Sequence, residues 1–163
     1  MYNIGVIPVR MGSSRFPGKP LEKICGIPLI THVYERCKMS RLCDDIFIAT
    51  CDKEIFDYSL KIGANCIMTK KSHERASDRV AEASEKIEKI NKKKISNIIM
   101  IQGDEPLIDG KMIDDSIKFL QEKNIGVTNI YTFIRNNHDW KNKNIVKVVS
   151  DKNDNAIYFS REP

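Results

Sequence analysis

The stretch Ile4-Gly5-Val6-Ile7-Pro8-Val9-Arg10-Met11-Gly12-Ser13-Ser14-Arg15-Phe16-Pro17-Gly18-Lys19-Pro20-Leu21 decides the fold. Residues 4–9 form a short apolar run rich in β-branched side chains, which reads as a strand. The run opens directly into a loop of glycines, serines and cations. Residues 1–20 hold Arg10, Arg15 and Lys19 and no acid at all. Gly12 and Gly18 permit unusual backbone angles and close approach of a ligand. Ser13 and Ser14 add small hydroxyl donors, and successive N–H groups in such a loop form an anion-binding nest. The three cations suit a triphosphate, and Pro17 and Pro20 stiffen the exit. The plain alternative is a basic surface loop. The loop is not a Walker A sequence, because Pro20 follows Lys19, and it lacks the Gly-x-Gly-x-x-Gly dinucleotide fingerprint.

Outward from this stretch, apolar segments recur at residues 46–50, 65–68, 98–101, 127–134 and 145–149. Helical patterns lie between them: Leu29, Val33 and Cys37; Val80, Ala83, Ile87 and Ile90; Ile113, Ile117 and Leu120. Ser77 is placed to cap the third of the helices and Gly63 to end the second. Alternating strands and helices imply an α/β fold of three layers around a mostly parallel central sheet. Continuous apolar strands such as Ile98-Ile99-Met100-Ile101 suit a sheet covered on both faces. With no repeat and no low-complexity linker, residues 1–163 read as a single α/β domain. Ligands of such sheets bind outside the carboxyl ends of the strands, which singles out the loops at 9–20 and 102–106.

Composition narrows the class. The 163 residues carry 27 Lys+Arg against 22 Asp+Glu, a net charge of +5, with 41% hydrophobic and 30% charged residues. These are the proportions of a folded soluble domain. No apolar run approaches the ~20 residues of a membrane span, and the N-terminus reads as a strand rather than a signal peptide. The five cysteines are scattered without a Cys-x-x-Cys pair, which argues against a disulfide framework or structural zinc and for buried thiols in a reducing cytoplasm. Lys92-Lys93-Lys94 reads as a solvated turn, with no interleaved aromatics of the kind that bind single-stranded nucleic acid. His32 reads as a satisfied or exposed helix residue, His73 as shaping its loop, and Trp140 as packing.

The second loop is Gln102-Gly103-Asp104-Glu105-Pro106. An acidic pair after a central strand is placed to hold a hard cation, and Mg²⁺ commonly takes one or two carboxylates plus phosphate oxygens. Gly103 lets the backbone turn, and Gln102 can hydrogen-bond a nucleotide. An acidic turn leading into a helix is the alternative.

Together, Pro8-x-Arg10, Ser13-Ser14-Arg15-Phe16-Pro17-Gly18-Lys19-Pro20-Leu21 and Gln102-Gly103-Asp104-Glu105-Pro106 resemble the signatures of sugar-activating cytidylyltransferases. The resemblance is to the 3-deoxy-manno-octulosonate (Kdo) cytidylyltransferase family. It continues through Gly26-Ile27-Pro28-Leu29, Ala49-Thr50, Met68-Thr69, Asp78-Arg79-Val80-Ala81-Glu82, Val146-Lys147-Val148-Val149 and Tyr158-Phe159-Ser160-Arg161, over the whole chain. It implies a Rossmann-like nucleotidyltransferase fold and a cytoplasmic enzyme of lipopolysaccharide biosynthesis. The enzyme would join CMP from CTP to a sugar acid and release pyrophosphate. Lys19, Asp104 and Arg15 would be catalytic, with Mg²⁺ on Asp104. Arg10, Gly12, Ser13, Arg15, Lys19, Ala76, Ser77, Arg79 and Gln102 would bind the nucleotide, and Tyr158 and Arg161 the sugar acid.

Arg75-Ala76-Ser77-Asp78-Arg79 departs from the family's Ser-Gly-Thr-Asp/Glu-Arg, which borders the pyrimidine. Ala76 gives up the positive φ open to glycine, and Ile27 replaces a usual lysine. The resemblance also implies that residues 1–163 lack the family's C-terminal part, with much of the sugar-acid pocket, the homodimer interface and a second metal-binding aspartate. Two alternatives stay beside the first reading: a cytidylyltransferase for a related sugar acid such as an amino-Kdo, and a non-catalytic CTP-binding fragment.

Overall fold

The first strand, β1 (Asn3–Val9), is buried along its length except at Pro8. In the computed structural model, which describes residues 1–12 and 16–163, everything that positions the candidate site is built around it. A 3-10 turn at Lys19–Leu21 leads to a small antiparallel pair, β2 (Lys23–Ile24) and β3 (Ile27–Pro28). Then follow α1 (Leu29–Cys37), β4 (Asp45–Thr50), α2 (Lys53–Lys61), β5 (Asn65–Met68), α3 (Ala76–Asn91), β6 (Asn97–Met100) and α4 (Gly110–Lys123). The sheet order is β5-β4-β1-β6 with every pair parallel. Ile4 lies opposite Asp45 on one side and Ile98 on the other.

Side chains alternate across a strand, and the two faces of β1 therefore feed two cores. Ile4 and Val6 pack with Phe47, Ala49 and Ile67 under Val80, Ala83 and Ile87 of α3. Ile7 and Val9 pack with Ile46 and Ile48 on the opposite face, under Ile30 and Val33 of α1, Ile55 of α2, and Ile113 and Ile117 of α4. The result is the expected three-layer α/β arrangement, with α3 on one face and α1, α2 and α4 on the other. The loop after α1 is pinned by Asp114 of α4. Its carboxylate accepts from Ser40 Oγ at 2.5 Å and from the Arg41 and Leu42 amides at 3.0 Å. Burial alone would raise the Asp114 pKa, but the bonds from Ser40, Leu42 and Arg41 outweigh it and hold the carboxyl below its ordinary value.

The internal contacts divide the chain into two compact units, Met1–Thr128 and Asn129–Pro163. The second contains a short helix, α5 (Asn137–Lys141), and an antiparallel hairpin of β7 (Lys147–Ser150) and β8 (Ala156–Ser160). Within it Lys147 is buried, and its ammonium donates to the carbonyls of Asn142 and Arg161, both at 2.7 Å.

Several sequence expectations are corrected. Residues 127–134 form no strand: they pair with nothing regular among the described residues, and Val127 and Phe133 are largely exposed. The strand expected at 145–149 begins at Lys147 and pairs with β8, so this unit is a hairpin rather than a βαβ repeat. β6 is not covered on both faces. It is an edge strand in which Ile101, just beyond its end, is buried while Ile98 and Met100 are nearly half exposed. Ser77 does not cap α3, because the helix already starts at Ala76 with Arg75 in extended backbone as its N-cap. Gly63 does follow α2, with φ of 72°. Trp140 packs into no core, since α5 has no buried residue. All five thiols are free. Cys37 is buried and Cys25 exposed, and burial pushes the Cys37 and Cys43 thiols up to about 12. Among the described residues no helix is long and apolar enough to cross a membrane.

Candidate active site

The carboxyl ends of β1 and β6 bring the two loops singled out in the sequence side by side. Leaving β1, the chain exposes Arg10 and ties down the Met11 amide on the Asp52 carboxylate at 2.7 Å. Gly12 is exposed. Ser13 and Arg15 lie outside the described residues. The loop closes where the Gly18 amide donates to Met11 O at 3.0 Å. Gly18 adopts φ of 78°, a left-handed backbone that glycine enters without penalty. That turn starts the 3-10 segment and delivers Lys19.

Asp104 comes from the other side, on the loop after β6. Its Oδ2 lies 2.6 Å from Lys19 Nζ, although the two residues are 85 positions apart in sequence. The side chains are 34% and 46% exposed, so this is a solvent-facing pair at the mouth of the sheet rather than a buried clamp. Gly103 makes the approach possible. A Cβ there would lie 2.2 Å from Val9 Cγ1 and 3.3 Å from the Pro8 carbonyl, so the Asp104 loop lies directly against the end of β1. The Glu105 amide turns back onto Gln102 O at 3.3 Å, and Gln102 itself is exposed. An open cleft of about 320 Å³ borders Lys19, Asp104, Phe16, Ile24, Leu29 and Pro106.

A second cleft, about 190 Å³, opens between the end of β1 and the loop before α3. Its walls are Pro8, Val9 and Arg10 on one side and residues 73–76 with Arg79 on the other. Ala76, at the first turn of α3, lines it; Ser77 does not. Arg79 lines the cleft but is 3% exposed, and its guanidinium is spent inward. It donates to Thr69 Oγ1, to Lys70 O at 3.4 Å and to His73 O at 3.5 Å. Its first role is thus to hold the loop between β5 and α3. His32 bonds Ile24 O at 2.9 Å. Tyr158 and Arg161 belong to the second unit, where Tyr158 is exposed and Arg161 donates to the carbonyls of Lys143 and Asn144 at 3.2 and 3.0 Å.

Two residues that sequence reasoning passed over stand out. Asp52 anchors the start of the first loop. Glu82, quoted only within a motif, accepts from the Lys70 amide at 3.0 Å, from Lys86 Nζ at 2.8 Å and from His73 Nε2. Burial would raise its pKa, yet the bonds from Lys86, Lys70 and His73 dominate and hold it down at about 2. A sequence signal existed. Arg79, Glu82 and Lys86 recur at helical spacing, and Glu82 and Lys86 form the favourable i, i+4 order.

A parallel sheet with cationic and acidic loops at its carboxyl edge defines a nucleotide-binding α/β protein. The particular family follows from comparison with known proteins: a cytidylyltransferase family model matches residues 4–163, and the chain belongs to that family. It is 46% identical over 165 residues to 3-deoxy-manno-octulosonate cytidylyltransferase of Thermodesulfovibrio yellowstonii, covering all of this chain and 65% of that protein. It is 43% identical to the protein of the same name in Fusobacterium nucleatum, covering 99% of this chain and 64% of the relative. The solved structure of CMP:2-keto-3-deoxy-manno-octonic acid synthetase complexed with CTP superposes with a TM-score of 0.82 at 30% identity, over 99% of this chain and 65% of that one. The chain thus spans slightly under two-thirds of the length of these relatives.

Proposed function

We propose that this chain is the nucleotide-binding part of a Kdo-type cytidylyltransferase, which transfers CMP from CTP to a sugar acid and releases pyrophosphate. The observation that carries this reading is the contact of Lys19 with Asp104 at the junction of two loops, beside a cleft walled by Arg10 and residues 73–76. In the reaction the anomeric hydroxyl of the sugar acid attacks the α-phosphorus. The P–O bond to the β-phosphate breaks, its electron pair leaves with pyrophosphate, and the hydroxyl proton passes to solvent or a base. Such a transfer depends on alignment and electrostatic stabilisation. The cleft beside Arg10 takes the base. The first loop, with Gly12, Ser13 and Arg15, faces the triphosphate, and Lys19 supports the charge that builds on the departing phosphates. Gln102 is exposed within reach of a nucleotide on this edge.

Among the described residues no cluster of three or more His, Cys, Asp or Glu side chains is placed to hold a metal ion. A single exposed carboxylate still fits Mg²⁺ held mainly by phosphate oxygens and water. Asp104 would be its protein ligand, and the ion would act as Lewis acid and template on the phosphates. In the whole protein, Tyr158 and Arg161 would contact the sugar acid. A cytoplasmic homodimer serving lipopolysaccharide biosynthesis belongs to the same reading.

Calorimetry with CTP, with and without Mg²⁺, and pyrophosphate release with CTP, Mg²⁺ and Kdo test the proposal. CTP binding strengthened by Mg²⁺, with the gain lost in Asp104→Ala, is the expected result. No CTP binding under either condition would overturn it. Binding without turnover would assign the chain the nucleotide step alone, and comparing Kdo with an amino-substituted Kdo would fix the acceptor.

A further inference from the structure

The loop between β5 and α3 is held almost entirely from one face of α3. Arg79 bonds Thr69 Oγ1 and the carbonyls of Lys70 and His73. Lys86 Nζ donates to Met68 O at 2.7 Å. Glu82 lies between them and is the one carboxylate in the set. Its side chain is 15% exposed, and it collects the Lys70 amide, Lys86 and His73. A structural clamp needs only the backbone bonds. The bond to His73 is additional, and His73 is a wall of the cleft that also holds Arg10.

The protonation chemistry of this contact is directional. An ionised carboxylate only accepts hydrogen bonds, so His73 Nε2 must carry the hydrogen. In the neutral ring Nδ1 is then the acceptor. Among the described residues Nδ1 has no hydrogen-bond partner. The charged groups around the contact are Lys70, Arg79 and Lys86.

Resting on the nucleotide reading above, we infer that Glu82 is a positioning residue for the base end of the site: it fixes the Nε2–H tautomer of His73 and so offers Nδ1 as an acceptor in the cleft. An acceptor there favours a base with an amino donor. Cytosine has an exocyclic amino group where uracil has a carbonyl, so the contact discriminates CTP from UTP.

Nitrogen-15 spectra of the wild-type imidazole at neutral pH test the inference without any substitution. They should show the Nε2–H tautomer, and a predominant Nδ1–H tautomer would overturn it. Calorimetry on Glu82→Gln should then show CTP affinity falling roughly three- to tenfold, the range of one hydrogen bond, with UTP affinity nearly unchanged. In a His73→Ala background, Glu82→Gln should have little further effect on the CTP/UTP ratio. Equal losses for CTP and UTP, or full additivity with His73→Ala, would make Glu82 a structural residue only. Wild-type binding of CTP is the control that separates the two proposals. If it is absent, the nucleotide reading fails; if it is present with an unchanged CTP/UTP ratio in Glu82→Gln, only the Glu82 inference fails.

Discussion

Replacing Lys19 with methionine separates a structural ion pair from a phosphate ligand. Lys19 Nζ lies 2.6 Å from Asp104 Oδ2, but the side chains are 34% and 46% exposed. Pairs this open to water contribute within about 1 kcal/mol, so folding stability in urea should change by no more than that. A lysine on phosphate oxygens is a charge-assisted hydrogen bond worth about 1.5–3 kcal/mol. Breaking the resting pair to reach the phosphates takes back part of it. The net loss on removing the ammonium is about 1–2.5 kcal/mol, or roughly five- to seventyfold in CTP affinity. CMP lacks the β- and γ-phosphates and should bind Lys19→Met within about twofold of wild type. Calorimetry with CTP and CMP at fixed Mg²⁺ and salt reads the difference. Equal losses for CTP and CMP would refute the placement of Lys19 at the terminal phosphates. A stability loss above about 2 kcal/mol with CTP binding intact would refute the view of the pair as an exposed, exchangeable contact.

Three other substitutions or conditions test the frame around the site. Gly103→Ala puts a methyl group into Val9 and against the Pro8 carbonyl; it should cost about 1–3 kcal/mol in urea unfolding and weaken CTP·Mg²⁺ by moving Asp104, and a variant unchanged in both would contradict the packing. Asp114→Ala strands the Ser40 hydroxyl and the Arg41 and Leu42 amides and should destabilise by about 1–3 kcal/mol, measured by the same titration. Glu82, held at about 2 against its ordinary 4.5, stabilises the fold above pH 4.5, and this contribution is lost as pH falls from 4.5 toward 2. It amounts to up to about 3 kcal/mol. Glu82→Gln should therefore flatten the acid limb of the stability–pH curve, and an unaltered limb would count against the network.

The frame was legible because its signals are local. Residues 4–9 are apolar and β-branched, the helices announce themselves at spacings of three and four, and the glycine-rich cationic loop has no acid in it. What stayed illegible depends on neighbours. Ile98-Ile99-Met100-Ile101 reads the same whether a strand is central or at an edge, and only the β5-β4-β1-β6 order reveals which. The apolar residues of 127–134 suggest a strand, but a strand needs a partner, and the pairing in that half of the chain goes to 147–150 and 156–160. Arg79 was legible as a cation near the nucleotide, but not as a guanidinium turned inward onto the loop. Glu82 looked like one more helix acid until the folded chain placed His73 against it.

The position of β1 between β4 and β6 also sets the order in which the site comes into existence. As the chain is synthesised, β4 and β5 are available to β1 well before β6, which follows a further helix of sixteen residues. At about 5–20 residues per second, that leaves an interval of some seconds in which one edge of the most buried strand lacks its partner. Lys19 is made early and Asp104 late, each at the end of a strand that must pair with the other. The two loops meet only when β6 docks, so the site matures with the last strand of its own sheet, and the Lys19–Asp104 contact marks the completion of that step during biosynthesis.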